Sequence, residues 1–500
     1  MVSSKKKYLK DYTPYPFKID LITLCFSIES SRVIVSNEML IKPLFARHPL
    51  ILNGYDLGIQ SIEIDEENLD EKAFSLNENE LIIFETPLNQ FKLKIVNTIN
   101  PFENSSLEGL YLSGGMLITQ CEAEGFRRIS FHPDRPDVLS RYKVSIEADL
   151  KKYPVLLSNG NQISAEIINA KRPRHKITWE DPIPKPSYLF AMVAGELKEV
   201  NDEFITKSGK SISLRIHVED GDQDKTLHAI NCLKRAMLWE EYSYGLEYDL
   251  DEFNIVAVRH FNMGAMENKS LNIFNSKLVL ADEKTATDQE LERIESVIAH
   301  EYFHNLTGNR ITCRDWFQLS LKEGLTVYRD QCFTADLHSE SVKRIEDVSY
   351  LRNTQFTEDK GPTAHAVKPV EYIAIDNFYT TTIYEKGAEI IRMINTLVGD
   401  SSFKEGFNSY ISKFDGTAAT TEDFVVEALM SLGQSKGNHQ FTVEQFLLWY
   451  EQIGTPHVSL DREWDPEAGK LTIFFKQNNV KEPLVIPIEI GLISDDGELI

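Results

Sequence analysis

The sequence is poor in cysteine, and its five cysteines follow no recognisable pattern. They are odd in number, far apart and free of any C-x-x-C pair. This spacing argues against both a disulfide framework and a cysteine zinc site, and it favours reduced thiols. We therefore expect a protein of the cytoplasm.

Long hydrophobic runs are also missing. No stretch of about 18 consecutive apolar residues occurs, and no apolar segment precedes Asp11, so the sequence predicts neither a membrane span nor an export signal. Three N-x-S/T sequons begin at Asn104, Asn268 and Asn305. The last two fall within chemical motifs described below, where a glycan would block function, and we expect them to be unmodified.

Positive charge is scarce. The chain has 53 Lys and Arg residues against 77 Asp and Glu residues, a formal net charge of -24. Nucleic acids and anionic membranes are bound by clustered Lys and Arg, so we expect neither as a partner. An acidic surface instead favours cationic ligands, among them the N-termini of peptides.

The length of 500 residues exceeds what one hydrophobic core supports, and the composition is that of a globular protein. Strand patterns and turn clusters dominate residues 17–195. The predicted strands include 32–35, 81–84, 91–96, 110–119, 142–148 and 189–194. These patterns predict an N-terminal antiparallel β domain over residues 1–195.

The periodicity then becomes helical. A capping box at Thr287 and Glu290 opens an apolar helical face that runs into 300–304, with Gly308 and Asn309 as the expected stop. Other helices are predicted at 226–242, 319–334, 338–354, 379–398, 421–432 and 442–452. We expect a helix-rich domain over residues 196–450.

Strand patterns return after His457, at 471–475 and 484–490, with a turn at 466–469. The sequence stops three residues after a turn at 495–497, where a new strand would begin. Because proteins avoid unpaired strand edges, we expect residues 451–500 to be the incomplete start of a β-sandwich and the chain to be a fragment. The predicted class is thus multidomain α+β.

The motif His300-Glu301-Tyr302-Phe303-His304 indicates a zinc site. On a helix, His300 and His304 lie about 40° apart and one turn apart, so both can reach one ion. Glu301 is placed beside the metal, which suits a general base acting on a water there. Glu323, after eighteen intervening residues, can return on a second helix as third ligand. We expect one Zn²⁺ per chain.

Coincidence on a surface helix is the competing interpretation. With this composition an H-[DE]-x-x-H string arises by chance in roughly 0.04 of such chains, and the later carboxylate lowers that to about 0.007. The surrounding pattern favours the metal site.

A second motif, residues 262–268 (NMGAMEN), follows a strand predicted at 254–258. An exopeptidase must hold a free ammonium at a fixed distance from the scissile carbonyl, which requires carboxylates facing the substrate N-terminus. Glu267 is the obvious candidate in this motif.

The chain closely resembles the gluzincin aminopeptidases of the aminopeptidase N type. The resemblance rests on GAMEN at 264–268, HEYFH at 300–304, KEGLTVYRDQ at 322–331 and TIYEKGAEIIRM at 382–393. It implies a thermolysin-like catalytic domain and hydrolysis of the first peptide bond of peptides with a free N-terminus. It also implies a monomer whose full length continues beyond this sequence.

The resemblance further implies the roles of individual residues. His300, His304 and Glu323 are the implied zinc ligands, and Glu301 is the implied base. Tyr384 is implied to hydrogen-bond the oxyanion, and Glu267 and Glu122 to bind the substrate amine. The remaining implied substrate-binding residues are Gln120, Met263, Gly264, Ala265, Met266 and Asn268.

The first-residue pocket is expected to be adaptable because Met263 lines it, which predicts broad preference for basic and neutral residues. Leu278 departs from the family, whose members have an aromatic residue there, and this puts the preferred residue in doubt. Asp330, seven residues after Glu323, is the one candidate for orienting a histidine.

Three other functions compete with this interpretation. A G-x-S-x-G string at 433–437 could mark a serine hydrolase, but it joins two predicted helices rather than a strand and a helix. A related zinc epoxide hydrolase would have glycine where this chain has Ala265. A peptide-binding relic without turnover would be expected to have lost Glu301 or Tyr384.

Overall fold

A computed structural model of the chain describes residues 6–169, 173–282, 284–430 and 441–499. Strands dominate as far as Val218, helices lie between Leu227 and Glu451, and a strand hairpin follows. This order confirms the predicted α+β class, with a β domain, a helix-rich domain and the start of a further β domain. The predicted string at 433–437 lies outside the described residues.

Eighteen strands are described in the N-terminal half. They are β1 (Lys7–Tyr8), β2 (Phe17–Ile28), β3 (Val33–Pro43), β4 (Leu50–Asn53), β5 (Gly58–Ile64), β6 (Glu67–Asn68), β7 (Phe74–Leu76), β8 (Glu80–Ile83), β9 (Phe91–Ile99), β10 (Gly109–Ser113), β11 (Met116–Gln120), β12 (Ser140–Asp149), β13 (Val155–Ser158), β14 (Asn161–Asn169), β15 (Arg174–Lys185), β16 (Met192–Gly195), β17 (Lys198–Ile205) and β18 (Ser211–Val218).

The N-terminal domain packs three sheets around one core. Its eight-stranded sheet has the order β14-β15-β12-β2-β3-β9-β5-β6, and it faces sheets of order β10-β11-β16-β13 and β4-β8-β7. Strand β3 alternates buried and half-buried residues, as a strand with one face on a core must. The neighbours are antiparallel as predicted, except that β12 pairs with β2 in parallel.

The prediction of one strand over 110–119 is wrong. Gly114 and Gly115 have φ values of 57° and 90°, so the chain turns back and β10 pairs with β11. Strand β11 then serves two cores. Leu117 faces the N-terminal core, whereas Met116 and Ile118 face a second core shared with the catalytic domain.

The catalytic domain combines a five-stranded sheet with nine described helices. Its added strands are β19 (Glu252–Val258), β20 (Ala265–Met266), β21 (Leu271–Asn275), β22 (Thr312–Cys313), β23 (Glu371–Tyr372) and β24 (Ala418–Ala419). The helices are α1 (Leu227–Tyr244), α2 (Asp288–Phe303), α3 (Leu319–Leu337), α4 (Glu340–Asn353), α5 (Gln355–Lys360), α6 (Gly387–Val398), α7 (Asp400–Phe414), α8 (Thr421–Ala428) and α9 (Val443–Glu451). The sheet order is β17-β18-β19-β21-β20.

Helix α2 begins as predicted and ends earlier. The Thr287 hydroxyl accepts from the Glu290 N–H and the Glu290 carboxylate accepts from the Thr287 N–H, which completes the capping box. The helix stops at Phe303 rather than near Gly308. The N–H groups of residues 309–311 donate to carbonyls five positions back rather than four. The chain after His304 therefore forms wider turns instead of continuing the α-helix.

The last described segment differs from expectation. Strands β25 (His457–Asp465) and β26 (Lys470–Asn478) form a hairpin around the predicted turn. The predicted strand at 484–490 is absent from the described residues. Leu484 packs instead into the helical core, and the indole N–H of Trp449 donates to the Val485 carbonyl at 2.6 Å. No described helix is long and apolar enough to cross a membrane.

Candidate active site

Helices α2 and α3 bring His300, His304 and Glu323 together. The Nε2 atoms of the two histidines are 3.0 Å apart, and Glu323 Oε2 lies 3.5 Å from His300 Nε2 and 3.3 Å from His304 Nε2. These three residues form one of the two groups in the described structure that could hold a metal ion.

The separations fit a tetrahedral zinc ion. Ligand atoms about 2.0–2.1 Å from zinc are about 3.3 Å from one another in a tetrahedron, which matches the three distances. Glu323 Oε2 is buried and accepts no hydrogen bond from any described residue. Such an atom is costly unless a cation or a donor faces it, so this donor set suits zinc.

The Nδ1 atoms of both imidazoles, on the side away from Glu323, are hydrogen-bonded. Asp330 Oδ2 accepts a hydrogen bond from His300 Nδ1 at 2.7 Å, and the Thr307 carbonyl accepts from His304 Nδ1 at 2.8 Å. Burial lowers the pKa of His300, but the hydrogen bond to Asp330 and the nearby carboxylate of Glu323 together outweigh burial and raise the pKa well above its usual value. The surrounding carboxylates thus favour positive charge here, and because both Nδ1 atoms are hydrogen-bonded, the Nε2 atoms are left to face a metal cation in place of a proton.

Glu301 is buried beside this group. Burial raises the pKa of Glu301 to about 8, and the nearby carboxylates Glu267 and Glu323 add to the effect. A carboxyl group in such surroundings can exchange a proton near neutral pH, as a general base must.

Glu122, Glu267 and Glu323 converge on one buried lysine. Lys322 Nζ lies 2.7 Å from Glu122 Oε1, 2.7 Å from Glu267 Oε1 and 2.5 Å from Glu323 Oε1. Burial alone would lower the pKa of Lys322, but the three carboxylates raise it well above the usual value. These three carboxylates are the second group that could hold a metal ion, but they already surround the ammonium of Lys322.

The charges around Lys322 remain unbalanced. Three carboxylates, of Glu122, Glu267 and Glu323, contact a single ammonium. Burial and Glu267 raise the pKa of Glu122 to about 8. At Glu267 burial would also raise the pKa, but Lys322 and His304 together outweigh burial and hold the pKa below the usual value. The ionised carboxylates of Glu267 and Glu323 still outnumber the ammonium, which favours a further cation beside them.

The GAMEN residues form one wall. Gly264 is exposed, Ala265 is half-buried, Met266 and Asn268 are buried, and Met263 packs against the shared core. Gln120 follows on β11, where its Nε2 donates to the Glu122 carbonyl at 3.1 Å and its buried Oε1 has no described donor.

Leu278 stands against this wall. A Cβ added to Gly264 would lie 3.4 Å from Leu278 Cδ1. Leu278 therefore lies next to the motif, and its effect on the pocket remains a prediction.

Tyr384 lies in a π-helical turn, Thr382–Lys386, that precedes α6. Its ring stacks beside that of His300, with centroids 6.4 Å apart and planes 19° apart. Burial holds the pKa of Tyr384 well above its usual value, so the phenol keeps its proton and can donate it.

Sequence reasoning missed two residues of the site. Lys322 is buried at the centre of the carboxylates, although the sequence shows it only as the residue before Glu323. Tyr379 donates from its hydroxyl to Glu122 Oε1 at 2.9 Å. Apart from Glu323, which is adjacent to Lys322 in sequence, the partners are far away along the chain: Lys322 and Glu267 are 55 positions apart, and Tyr379 and Glu122 are 257 apart, so neither pairing has a local signal.

Two sequons are inaccessible. The side chains of Asn268 and Asn305 are buried, and Asn305 Oδ1 accepts from Lys269 Nζ at 3.0 Å. A glycan could not be accommodated at either, in agreement with the expectation from the sequence.

Comparison with known families matches most of the chain. The Peptidase M1 N-terminal domain matches residues 22–189 and the Peptidase family M1 domain matches 228–448. A domain of unknown function with an Ig-like fold (DUF3458) matches 454–500.

Individual relatives agree. Aminopeptidase N of Caulobacter vibrioides is 51% identical over 93% of this chain and 53% of its own length, and aminopeptidase N of Escherichia coli is 47% identical over 99% and 56%. The crystal structure of Legionella pneumophila aminopeptidase A in complex with aspartic acid superposes with a TM-score of 0.87 at 33% identity, covering 95% of this chain and 54% of that one. The chain spans about half the length of the curated relatives it matches. It belongs to the M1 peptidase family, in the aminopeptidase N type.

Proposed function

We propose that this chain carries the catalytic site of a zinc aminopeptidase that hydrolyses the first peptide bond of peptides. The observation that carries the proposal is the group of His300, His304 and Glu323 beside the buried carboxylates of Glu301 and Glu267. A metal-binding group alone would suit many hydrolases. On the adjacent wall the carboxylates of Glu122, Glu267 and Glu323 outnumber the one ammonium that contacts them, which supports a place for a substrate ammonium.

The chain's own residues supply binding and proton transfer. Glu267 and Glu122 bind the ammonium, which fixes the first carbonyl at the ion. Bound by His300, His304 and Glu323, zinc would polarise that carbonyl and favour ionisation of a water. Glu301 takes the proton of the attacking water and passes it to the leaving amine.

Tyr384 completes the site. Its phenol donates a hydrogen bond to the oxygen that becomes negative as the carbonyl carbon turns tetrahedral. A donor of this kind contributes about 10²–10³ in rate. No covalent bond between enzyme and substrate is required.

Release of a fluorescent amine from alanyl, leucyl, arginyl and aspartyl substrates tests the proposal, with N-acetyl-alanyl substrate as control. We expect cleavage of the free-amine substrates only, its loss with a chelator and its return with zinc. Equal cleavage of the acetylated substrate would refute an aminopeptidase. Cleavage that persists in the presence of the chelator would refute the requirement for a metal ion.

The same panel addresses specificity. Met263 supports broad preference for basic and neutral first residues, whereas Leu278, which replaces the aromatic residue of the family, leaves the preferred residue open. The aspartyl substrate is included because the Legionella relative holds aspartic acid. Preferential aspartyl cleavage would contradict the proposed preference while leaving the reaction intact.

We also propose a compartment and an oligomeric state. All five cysteines are free, which supports a cytoplasmic enzyme. We propose that it acts as a monomer, since every residue of the site comes from one chain. Sedimentation at several concentrations would test this, and a concentration-independent dimer would contradict it.

A binding relic is the remaining alternative. A folded chain that takes up zinc and binds peptides without cleaving them would favour it. The burial of Glu301 beside the proposed ligands and the position of the Tyr384 ring beside that of His300 support turnover.

A further inference from the structure

Glu358 of α5 binds the first residues of the π-helical turn that carries Tyr384. Its Oε2 atom accepts hydrogen bonds from the Thr382 N–H at 2.8 Å, from the Thr382 hydroxyl at 2.6 Å and from the Thr381 hydroxyl at 3.0 Å. A π-helical turn is rare and leaves its first N–H groups without partners inside the helix. One carboxylate oxygen therefore fixes the start of the turn.

Asp359, the next residue, binds the end of the same turn. Its Oδ2 atom lies 2.9 Å from Lys386 Nζ, and both side chains are buried. The first residues of the third domain join them: the Thr455 hydroxyl donates to Asp359 Oδ2 at 2.9 Å, and Lys386 Nζ donates to the Gly454 carbonyl at 2.9 Å. The turn is thus held from both ends by adjacent carboxylates of one short helix.

On its inner side the turn rests directly on α3. The Ser320 hydroxyl donates to the Ile383 carbonyl at 2.8 Å. A Cβ added to Gly324 would lie 2.9 Å from the backbone carbon of Gly387, so no side chain separates the two backbones. Because α3 also provides Glu323, a turn pressed against α3 has a fixed position relative to the metal ligands.

We infer that Glu358 and Asp359 are positioning residues, which place the Tyr384 hydroxyl by clamping its turn against α3. The inference rests on the proposed function, in which this hydroxyl meets the developing oxyanion. The described hydrogen bonds of the two carboxylates go to the turn and to Thr455, so both act through Tyr384. Displacing a hydrogen-bond donor by about 1 Å can cost about 100-fold in rate.

The test uses Glu358→Gln and Asp359→Asn, each in the otherwise unchanged chain and together with Tyr384→Phe. In the unchanged background we expect kcat to fall about 10- to 100-fold, with KM and zinc content nearly constant. In the Tyr384→Phe background the same substitutions should cost less than about 2-fold more, because residues that act through one group are not additive. Additive losses, or no loss of kcat, would overturn the inference.

Glu427→Gln is the matched control. Glu427 is a buried carboxylate of α8 that also accepts from a hydroxyl and an ammonium, of Ser409 and Lys413, each at 2.6 Å. It shares no described hydrogen bond with the turn. The kcat of the Glu427→Gln variant should equal that of the unchanged chain.

Hydrogen exchange provides a readout that does not depend on activity. Amides of residues 381–387 should exchange at least about 10-fold faster in Glu358→Gln, and at the normal rate in Glu427→Gln. If the unchanged chain shows no zinc-dependent cleavage, the proposed function fails. Hydrogen exchange then tests the clamp independently of activity. An exchange rate of residues 381–387 that is unchanged in Glu358→Gln, as in the control Glu427→Gln, would overturn the clamp.

Discussion

Asp330 Oδ2 accepts a hydrogen bond from His300 Nδ1 at 2.7 Å, across the contact between α3 and α2. The bond fixes which nitrogen of His300 carries the proton and leaves Nε2 to face Glu323 and His304. It also ties the helix that provides two proposed ligands to the helix that provides the third.

Asp330→Ala should therefore weaken zinc binding. Loss of a carboxylate behind a ligand histidine typically costs about 10- to 100-fold in metal affinity. Competition with a fluorescent chelator would measure the change. Asp347→Ala, which removes the partner of Lys343, serves as control and should bind zinc normally. Equal affinities in all three proteins would contradict the role assigned to Asp330.

Glu301→Gln should separate metal binding from turnover. The amide cannot take a proton, so we expect kcat to fall by about 10²–10⁴ while zinc content stays at one per chain. Zinc would be counted by atomic emission on the protein used for kinetics. Near-native turnover in this variant would show that another group is the base.

Lys322→Met should destabilise the chain in the absence of zinc. The substitution leaves the buried carboxylates of Glu122, Glu267 and Glu323 without their shared cation, and breaking such a group costs about 3–5 kcal/mol. Guanidinium unfolding of the metal-free protein would measure the loss. The exposed pair of Lys92 and Glu38 offers a control: Lys92→Met should cost less than about 1 kcal/mol. Similar losses in both variants would argue against the buried cluster.

His132 should make the chain less stable in acid. Both ring nitrogens are buried without a described partner, and burial lowers the pKa of His132 to about 3. The unfolded chain binds this proton near pH 6.5, so the free energy of unfolding falls as pH drops from 6.5 towards 3, by about 1.4 kcal/mol per pH unit.

His132→Leu removes this dependence. Between pH 7 and pH 4.5 the variant should lose about 2–3 kcal/mol less than the unchanged chain, as measured by urea unfolding at both pH values. Parallel losses would mean that His132 is protonated in the folded state.

The parts of the site that depend on local geometry could be predicted from the sequence. His300, Glu301 and His304 lie within one helical stretch, and the capping box of Thr287 and Glu290 fixed where that stretch begins. The structure also brings Glu323 to the two histidines. The roles of all these residues remain predictions.

Long-range pairings could not be predicted in this way. The sequence gives no sign that Lys322 and Tyr379 meet Glu122, since each contact depends on the packing of separate domains. One error in the fold has a similar cause, whereas the wrong strand over 110–119 reflects a local turn at Gly114 and Gly115. An apolar segment such as the one containing Leu484 is suited to a strand, but its side chains pack on α9 instead.

The position of Glu122 in the candidate active site depends on the register of strand β11. Gln120 ends this strand and Glu122 follows it, while Leu117 and Ile118 point into cores on opposite sides. A slip of one residue against β16 would exchange the two faces of β11 and would also withdraw Glu122 from Lys322. Folding of the N-terminal domain is therefore itself an assembly step of the candidate active site, and the two domains should melt in a single transition.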